Sequence, residues 1–263
     1  MSGQTISGRP LTDHLYAKAC QMRVPLNGTF ELSPVCNFSC RMCYVRKTQK
    51  EVQNSPRKIM TLEDWRRIAR EAREAGMLEL LLTGGEPLLW PDFWTLYEEL
   101  IDMGFLVSIN TNGSLISEEA VARFRKKPPQ RINITLYGAG DSSYRRLCGI
   151  DGVYTKVDRA IRDLMDAGIT VKLNCSLTPD NAEDIDRIVD YAKERNTVLS
   201  VSTYMFPPSA AGSRADRCQR ALHTGRIFPI YDALSAQKQG RRTVSGISEE
   251  HSGRKDGTPR TGK

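Results

Sequence analysis

Three cysteines lie within eight residues of one another, at Cys36, Cys40 and Cys43, and we call residues 36–43 the cysteine loop. Iron–sulfur clusters are held by cysteine thiolates at short spacings of this kind. A cubane of four irons needs four ligands, so a loop that supplies three would leave one iron open to a ligand from outside the protein. Structural zinc usually takes four protein ligands, and the sequence has no second Cys-x2-Cys and no His-x3-His. We therefore favour an iron–sulfur site over zinc or free thiols.

A second candidate motif is Gly84-Gly85-Glu86-Pro87, which follows a predicted strand at 78–83. The two glycines permit a close backbone approach to a ligand, because neither carries a side chain. The Glu86 carboxylate can accept a charge-assisted hydrogen bond from an ammonium group. The same four residues could also form an ordinary turn, but their position after a second strand favours the ligand-binding interpretation.

Together these motifs resemble those of the radical S-adenosylmethionine (radical SAM) enzymes. The segments CNFSCRMCY, LTGGEPLL, NTNG and MFPP are most similar to the peptide- and protein-modifying branch, whose members usually carry a C-terminal SPASM domain. The resemblance covers about residues 25 to 206. It implies a 4Fe–4S cluster bound by Cys36, Cys40 and Cys43, which are the catalytic and metal-binding cysteines. It also implies S-adenosylmethionine (SAM), whose methionine amino and carboxylate groups would bind the fourth iron.

The resemblance implies further SAM-binding residues. Gly84, Gly85 and Glu86 would hold the methionine end of SAM. Met42, between the second and third cysteines, would pack on the adenine. The family also contacts the ribose from its fourth and fifth strands and the adenine from its sixth, and the residues at those places are Thr135, Asn174 and the backbone of Met205.

Two further features are each open to two interpretations. Thr111-Asn112-Gly113 ends the third predicted strand, where it is either part of the site or a plain turn. Cys148 is placed in the loop after the fourth strand. Some radical enzymes use a cysteine to return a hydrogen atom to a substrate radical, but we favour a partly buried thiol here.

The activity implied by the resemblance is reductive cleavage of SAM to a 5′-deoxyadenosyl radical, which abstracts hydrogen from a peptide or protein side chain. The hard chemistry would belong to the cofactor, and an external low-potential donor of the flavodoxin or ferredoxin type would supply the electron. Small-molecule substrates remain open. The sequence also fits a catalytically incomplete core that binds cluster and SAM without a substrate domain, and it fits less well a zinc-binding structural or nucleic-acid module.

The elements that must position these residues alternate regularly between strand and helix. Six strands are predicted, at 30–35, 78–83, 106–110, 132–137, 170–177 and 198–205. Helices are predicted between them, the first opening with a capping box at 61–64, and an earlier helical stripe covers 11–22. This alternation predicts parallel strands with right-handed crossovers. No Gly-x-Gly-x-x-Gly is present, so we predict an α/β fold, an open partial (β/α)6 TIM-type barrel.

Several predicted strands alternate between polar and apolar residues. Strands buried on both faces would be almost continuously apolar. The apolar faces must meet the helices, so we expect the polar faces to point into the barrel and to line a binding cavity. The polar positions are Ser108, Asn110, Asn112, Asn133, Thr135, Tyr137, Lys172, Asn174 and Ser176.

Composition divides the chain into an N-terminal helical extension (1–24), a core barrel (25–206) and a basic tail (207–263). Of the net charge of +7, the tail carries eleven Lys and Arg against five Asp and Glu. The core is therefore nearly neutral, and a nucleic-acid partner is not expected. The tail is expected to be poorly ordered. It has one cysteine, Cys218, so it does not support the auxiliary clusters of a SPASM domain.

No apolar run approaches the length of a membrane span, and the N-terminus is too polar for a signal peptide. The seven cysteines show no regular disulfide framework. We therefore expect a cytoplasmic protein without a membrane partner.

Overall fold

Six parallel strands form one sheet at the centre of the computed structural model, which describes residues 11–56 and 58–203. The strands lie side by side in the order in which they follow along the chain, and every neighbouring pair is parallel. They are β1 (Asn27–Glu31), β2 (Glu79–Thr83), β3 (Leu106–Thr111), β4 (Arg131–Thr135), β5 (Val171–Ser176) and β6 (Val198–Ser202).

Helices join each strand to the next, as parallel strands require. The α-helices are α1 (Leu11–Met22), α2 (Gln49–Gln53), α3 (Leu62–Glu74), α4 (Phe93–Asp102), α5 (Glu118–Lys126), α6 (Asp141–Cys148), α7 (Tyr154–Asp166) and α8 (Ile185–Glu194). Short 3-10 helices lie at Pro87–Leu89 and Ala182–Asp184. The predicted architecture, an open partial (β/α)6 TIM-type barrel, is confirmed.

The two faces of the sheet differ in chemistry. One face is apolar, and its central side chains, Leu82, Ile109, Ile132 and Leu173, are fully buried in the hydrophobic core shared with the helices. The strand register aligns polar residues in one row on the opposite face, which we call the inner face. That row is Glu31, Thr83, Asn110, Asn133 and Lys172. All of these except Asn133 are at least partly exposed, so the inner face is polar and open, as the alternation predicts.

The first strand lies earlier in the chain than the sequence predicts. The apolar stretch 30–35 was expected to form it, but β1 pairs with β2 only over Asn27–Glu31. The Leu32 N–H still donates to the Thr83 carbonyl at 3.0 Å. Pro34 then has no N–H to continue the ladder. Apolar character therefore persists beyond the point at which regular pairing stops.

The polar segment 47–58 contains a short helix, α2. Thr48 and Glu51 form a capping box that opens α2, with each side chain bonded to the backbone N–H of the other residue. Apolar periodicity does not indicate this helix, because none of its residues is buried. The capping box predicted at the start of α3, formed by Thr61 and Asp64, is confirmed.

The N-terminal helix α1 contacts the start of the barrel, where the Tyr16 hydroxyl donates to Glu79 at 2.9 Å. Within residues 11–56 and 58–203, no helix has the length and apolar character needed to cross a membrane. Residues 1–10, the tail at 207–263 and Met205 lie outside the described residues, so the expectations for them stay predictions.

Candidate active site

The carboxyl ends of the first three strands bring the predicted motifs together at one rim of the sheet. The cysteine loop follows β1, Gly84-Gly85-Glu86 follows β2, and the turn Asn112-Gly113 follows β3. This is the end of a parallel α/β sheet at which ligands bind.

Two apolar side chains fix the cysteine loop in the core. Phe38 is 1% exposed, and its ring lies 6.2 Å from each of the rings of Tyr137 and Tyr144, measured between centroids. Met42 is also buried. The three cysteines between and beside these anchors are half-buried, so their sulfurs lie at the edge of the core.

The C-terminus of helix α6 holds the backbone of the cysteine loop. The Ser39 N–H donates to the Cys148 carbonyl at 2.8 Å, and the Arg41 N–H donates to the Leu147 carbonyl at 2.9 Å. The last carbonyls of a helix have no partner within the helix, and here the cysteine loop supplies two donors. Gly149, with φ 64, ends the helix in the left-handed conformation that favours glycine.

The three thiols differ in how readily they ionise. Burial raises the pKa of Cys36 to about 11, and burial also raises the pKa of Cys43. A hydrogen bond with the Cys148 thiol lowers the pKa of Cys40, and one with the Tyr137 hydroxyl adds to that effect. Cysteines bind metals as thiolates. Cys40 is therefore the thiol that ionises most readily, and a metal bound here would have to supply the free energy that deprotonates the other two.

The cysteine loop fits the three protein ligands of a cluster. The sulfurs of Cys36 and Cys43 already accept backbone N–H groups, from Phe38 at 3.4 Å and from Arg46 at 3.3 Å. Such donors stabilise the negative charge of iron-bound sulfur. In the part of the chain that the structure describes, no three His, Cys, Asp or Glu side chains are grouped so that they could hold a single metal ion. A cluster does not require that grouping, because each thiolate binds its own iron.

Gly84 and Gly85 are required by the packing of the chain against itself. A Cβ atom on Gly85 would lie 2.3 Å from the Val35 carbonyl oxygen, and one on Gly84 would lie 2.4 Å from the Ser33 carbonyl oxygen. Gly84 also has φ +146, which side chains disfavour. The sequence motif alone suggests that the glycines permit the approach of a ligand. The structure gives a different reason, which is the backbone that leads into the cysteine loop.

Glu86 is fully buried, and groups of the chain itself bind its carboxylate. The Thr111 hydroxyl lies within 2.9 Å of both carboxylate oxygens. The Asn112 and Leu88 N–H groups donate to the same carboxylate at 2.8 and 3.2 Å. Burial raises the pKa of Glu86 to about 7, and these donors oppose that rise. The predicted hydrogen bond from Glu86 to the methionine ammonium stays a prediction.

The turn after β3 bonds the cysteine loop directly. Asn112 Nδ2 donates to Asn37 Oδ1 at 2.9 Å and lies 3.8 Å from Cys36 Sγ. Asn37 in turn donates to the Ser114 hydroxyl at 2.9 Å. From the sequence, this turn is either part of the site or a plain turn. The signal in the sequence is that two polar residues, Thr111 and Asn112, lie at the carboxyl end of β3, next to β2.

The remaining predicted site residues are less closely connected. Thr135 and Asn174 are paired neighbours at the carboxyl-terminal parts of β4 and β5, on the inner face and partly exposed. Met42 is buried in the core, which leaves little of its side chain free for an adenine ring. Met205 lies outside the described residues. The SAM-binding roles of these residues stay predictions.

Cys148 was predicted to lie in a loop, but it is the last residue of helix α6. Its thiol is fully buried, and its proximity lowers the pKa of Cys40. Local sequence could not indicate this contact, because the two cysteines are far apart in the chain. Tyr137 follows β4, and local sequence likewise does not indicate that its hydroxyl lowers the pKa of Cys40.

Comparison with known proteins agrees with this geometry. A model of the radical SAM superfamily matches residues 30–192. An AdoMet-dependent heme synthase of Methanosarcina barkeri is 27% identical over 209 residues, which cover 80% of this chain and 58% of the relative. A probable GTP 3′,8-cyclase of Sulfurisphaera tokodaii is 32% identical over 165 residues, which cover 62% of this chain and 50% of the relative. The chain thus spans about half the length of these relatives.

Solved structures share the fold at lower identity. Streptococcus suis SuiB bound to S-adenosylmethionine matches with a TM-score of 0.69 and 20% identity, over 86% of this chain and 51% of SuiB. SuiB bound to its precursor peptide SuiA matches with a TM-score of 0.66 and 19% identity, over 91% of this chain and 54% of SuiB. At this identity the likeness shows a shared fold.

Replacing Gly85 with alanine should separate the two loops that meet behind the cysteines. The added Cβ would overlap the Val35 carbonyl, so the Glu86 N–H would lose its 2.9 Å bond to that oxygen. We expect a loss of about 1–3 kcal/mol in the free energy of unfolding, measured by urea denaturation. Gly140→Ala is the matched control, because a Cβ at Gly140 meets nothing within 4 Å. Equal stability of the two variants would contradict the packing argument.

The contribution of Glu86 to stability should fall as pH rises. Because burial raises its pKa from 4.5 to about 7, the folded protein binds this proton more tightly than the unfolded chain. The resulting stabilisation is complete below pH 4.5 and is lost by about pH 7. It amounts to about 3 kcal/mol.

The variant Glu86→Gln cannot titrate at this position. The difference in free energy of unfolding between wild type and variant should therefore shrink by about that amount between pH 4.5 and 7, as measured by urea denaturation. A difference that does not change with pH would show that burial does not raise the pKa of Glu86 in the folded protein.

Proposed function

The chain belongs to the radical SAM superfamily, and from this premise we propose that it removes hydrogen from a peptide or protein side chain. The observation that carries the proposal is the arrangement of three half-buried thiols beside the Gly84-Gly85-Glu86 loop, at the carboxyl ends of parallel strands. The superfamily alone does not define the substrate, since one relative is named a heme synthase and another a probable GTP 3′,8-cyclase.

The cofactors of the family are a 4Fe–4S cluster and SAM. When bound, they supply one-electron cleavage of the sulfonium to a 5′-deoxyadenosyl radical, which removes hydrogen from the substrate. In our proposal Cys36, Cys40 and Cys43 each hold one iron. The buried anchors Phe38 and Met42 keep the loop in place and keep water from its inner side.

The neighbouring loops position SAM in this proposal. The backbone of Gly84 and Gly85 faces the methionine end. Glu86 acts mainly by holding the turn after β3 through Thr111 and Asn112. Thr135 and Asn174, side by side on the inner face, contact the ribose, and Met42 and the Met205 backbone contact the adenine.

The inner face supports a peptide more than a nucleotide as substrate. A nucleoside triphosphate carries several negative charges, which cationic residues or metal ions bind. The inner row described above offers one cation, Lys172, together with the carboxylate of Glu31 and neutral side chains. Asn133 donates to Asn110 at 2.8 Å, and its own Oδ1 is buried without a hydrogen-bond partner among the described residues.

Membership of the SPASM-type, peptide-modifying branch is part of the same proposal. It is supported by the sequence motifs and by the similar fold of SuiB, a protein whose structure has been solved with a precursor peptide. A cytoplasmic location also belongs to the proposal. The six described cysteines are free thiols, which suits a reducing compartment.

An external redox protein would deliver the electron near the end of the cysteine loop. Tyr44 directly follows Cys43 and is 57% exposed. Lys47, Lys50 and Lys58 are exposed nearby, and none of them has an ion-pair partner among the residues described. An acidic, low-potential donor of the flavodoxin or ferredoxin type fits such a surface, because opposite charges steer association.

We expect the anaerobically reconstituted protein, reduced with dithionite, to convert SAM to 5′-deoxyadenosine. Single replacements of Cys36, Cys40 or Cys43 by alanine should abolish the product, since each removes one iron ligand. Cys20→Ala is the matched control, because Cys20 is an exposed thiol on α1 and should leave the yield unchanged. Chromatography with mass detection measures the product.

Two results would decide against this assignment. A wild-type protein that binds zinc without iron or sulfide would favour a structural zinc module. A cluster that assembles without any SAM cleavage would favour a catalytically incomplete core.

Isotope transfer can identify the class of substrate. A peptide library built from deuterated amino acids should transfer deuterium into 5′-deoxyadenosine, because the radical takes a hydrogen atom from the substrate. Deuterated GTP, tested in parallel, should transfer none. Transfer from GTP and not from peptides would overturn the peptide assignment and leave the radical SAM chemistry intact.

A further inference from the structure

We propose that a cavity beside the cysteine loop binds one carboxylate on an apolar stem, the side chain of a glutamate in the peptide substrate. The inference rests on the proposed function, which supplies the peptide, and adds a recognition site outside the loops assigned to SAM. The cavity has a volume of about 270 Å³. Sites for drug-sized ligands have volumes of about 300–1,000 Å³, so this cavity suits a single side chain or a small molecule.

Three segments of the chain surround the cavity, and two of them flank the cysteine loop. Residues 31–34 lead from β1 into the loop, Val45 and Lys47 follow the loop, and residues between 52 and 65 form the remaining side. The Lys47 N–H donates to the Pro34 carbonyl at 2.9 Å, so the two flanking segments are bonded to each other. An occupant therefore lies next to the backbone that holds the cysteines, and a peptide anchored there begins close to the rim.

Charged side chains leave the cavity with an excess of positive charge. Lys47 and Lys58 line it together with one carboxylate, that of Glu31. Neither lysine has an ion-pair partner among the residues described. Glu31 balances one of the two cations, so one positive charge remains for a ligand. A single carboxylate matches that charge, whereas a phosphate group would bring about two negative charges.

Apolar side chains form much of the remaining wall. They are Leu32, Val45, Val52, Ile59 and Met60. Removal of apolar surface from water favours binding, so this wall favours a ligand whose carboxylate is carried on methylene groups. A glutamate side chain has two such groups, which gives it a longer apolar stem than aspartate.

One residue of the wall, Trp65 on α3, has a polar group without a partner. Its ring stacks on Phe30 with 4.7 Å between the centroids, and the residue is 7% exposed. The indole Nε1–H is buried and has no acceptor among the described residues. A buried donor without an acceptor is costly. A carboxylate oxygen in the cavity is the acceptor that this N–H lacks.

Lys47 and Lys58 also belong to the surface to which an acidic electron donor is assigned above. Lys50 on α2 separates the two roles, because it is exposed on the same surface but is not among the residues that line the cavity. Electrostatic steering of a protein partner depends on all three lysines. Binding in the cavity depends on Lys47 and Lys58 alone.

The test is a titration of the anaerobically reconstituted full chain with N-acetylglutamate N-methylamide, followed by heteronuclear NMR of the tryptophan indole N–H groups. The chain has three tryptophans, and Trp65→Phe identifies the Trp65 resonance. That resonance should move downfield as the carboxylate accepts its proton, while those of Trp90 and Trp94 stay in place. The corresponding glutamine derivative, which has no charge, should cause no shift.

Lysine variants test the charge of the cavity. Lys47→Ala and Lys58→Ala should each weaken binding of the glutamate probe by about tenfold, the equivalent of one charge-assisted hydrogen bond. Lys50→Ala is the matched control and should bind as wild type does. The indole resonances also show whether each variant is folded.

Four results would decide against the inference. They are a Trp65 resonance that does not move, equal shifts with the glutamate and glutamine probes, equal losses in all three lysine variants, and tighter binding of butyrate than of the glutamate probe. The last result would assign the cavity to a free small carboxylate. Binding is measured without turnover, so a protein that binds the glutamate probe but cleaves no SAM would contradict the proposed function alone.

Discussion

The site depends on one close backbone contact, where the chain leaving β1 passes the glycine pair that follows β2. The carbonyl oxygens of Ser33 and Val35 lie where a Cβ of Gly84 or Gly85 would be, and they accept the N–H groups of Gly85 and Glu86. Two loops without side chains between them are thereby held side by side. The cysteine loop begins at the next residue, so its position relative to the other motifs follows from this contact.

From there a chain of hydrogen bonds extends across the rim. Glu86 binds Thr111 and Asn112, and Asn112 binds Asn37 within the cysteine loop. The far side of the loop is bonded to α6. The cysteines are thus held from two directions by elements that are distant in sequence. These hydrogen bonds add to the packing of Phe38 and Met42, which are buried within the loop.

The sequence predicts most of the fold, because strand and helix periodicities are local properties. The six strands, their alternation with helices and the capping box at Thr61 all follow from short-range patterns. The end of β1 does not, because pairing with β2 stops while the residues remain apolar. The close backbone contact that requires glycine at positions 84 and 85 could not be predicted either, nor could the hydrogen bonds from β3 to Glu86. These are contacts between residues far apart in the chain, which no window of sequence contains.

Helix α6 also has a consequence for the order of events during synthesis. The cysteine loop leaves the ribosome early, but two of its backbone donors find their acceptors only at the end of α6, after four strands have been made. Long-range contacts of this kind form late in folding, once the intervening chain has been organised. The nascent chain therefore exposes three free thiols before their surroundings exist. Insertion of the cluster that the family uses would then be a late step in biogenesis, completed after the strands and α6 have assembled around the loop.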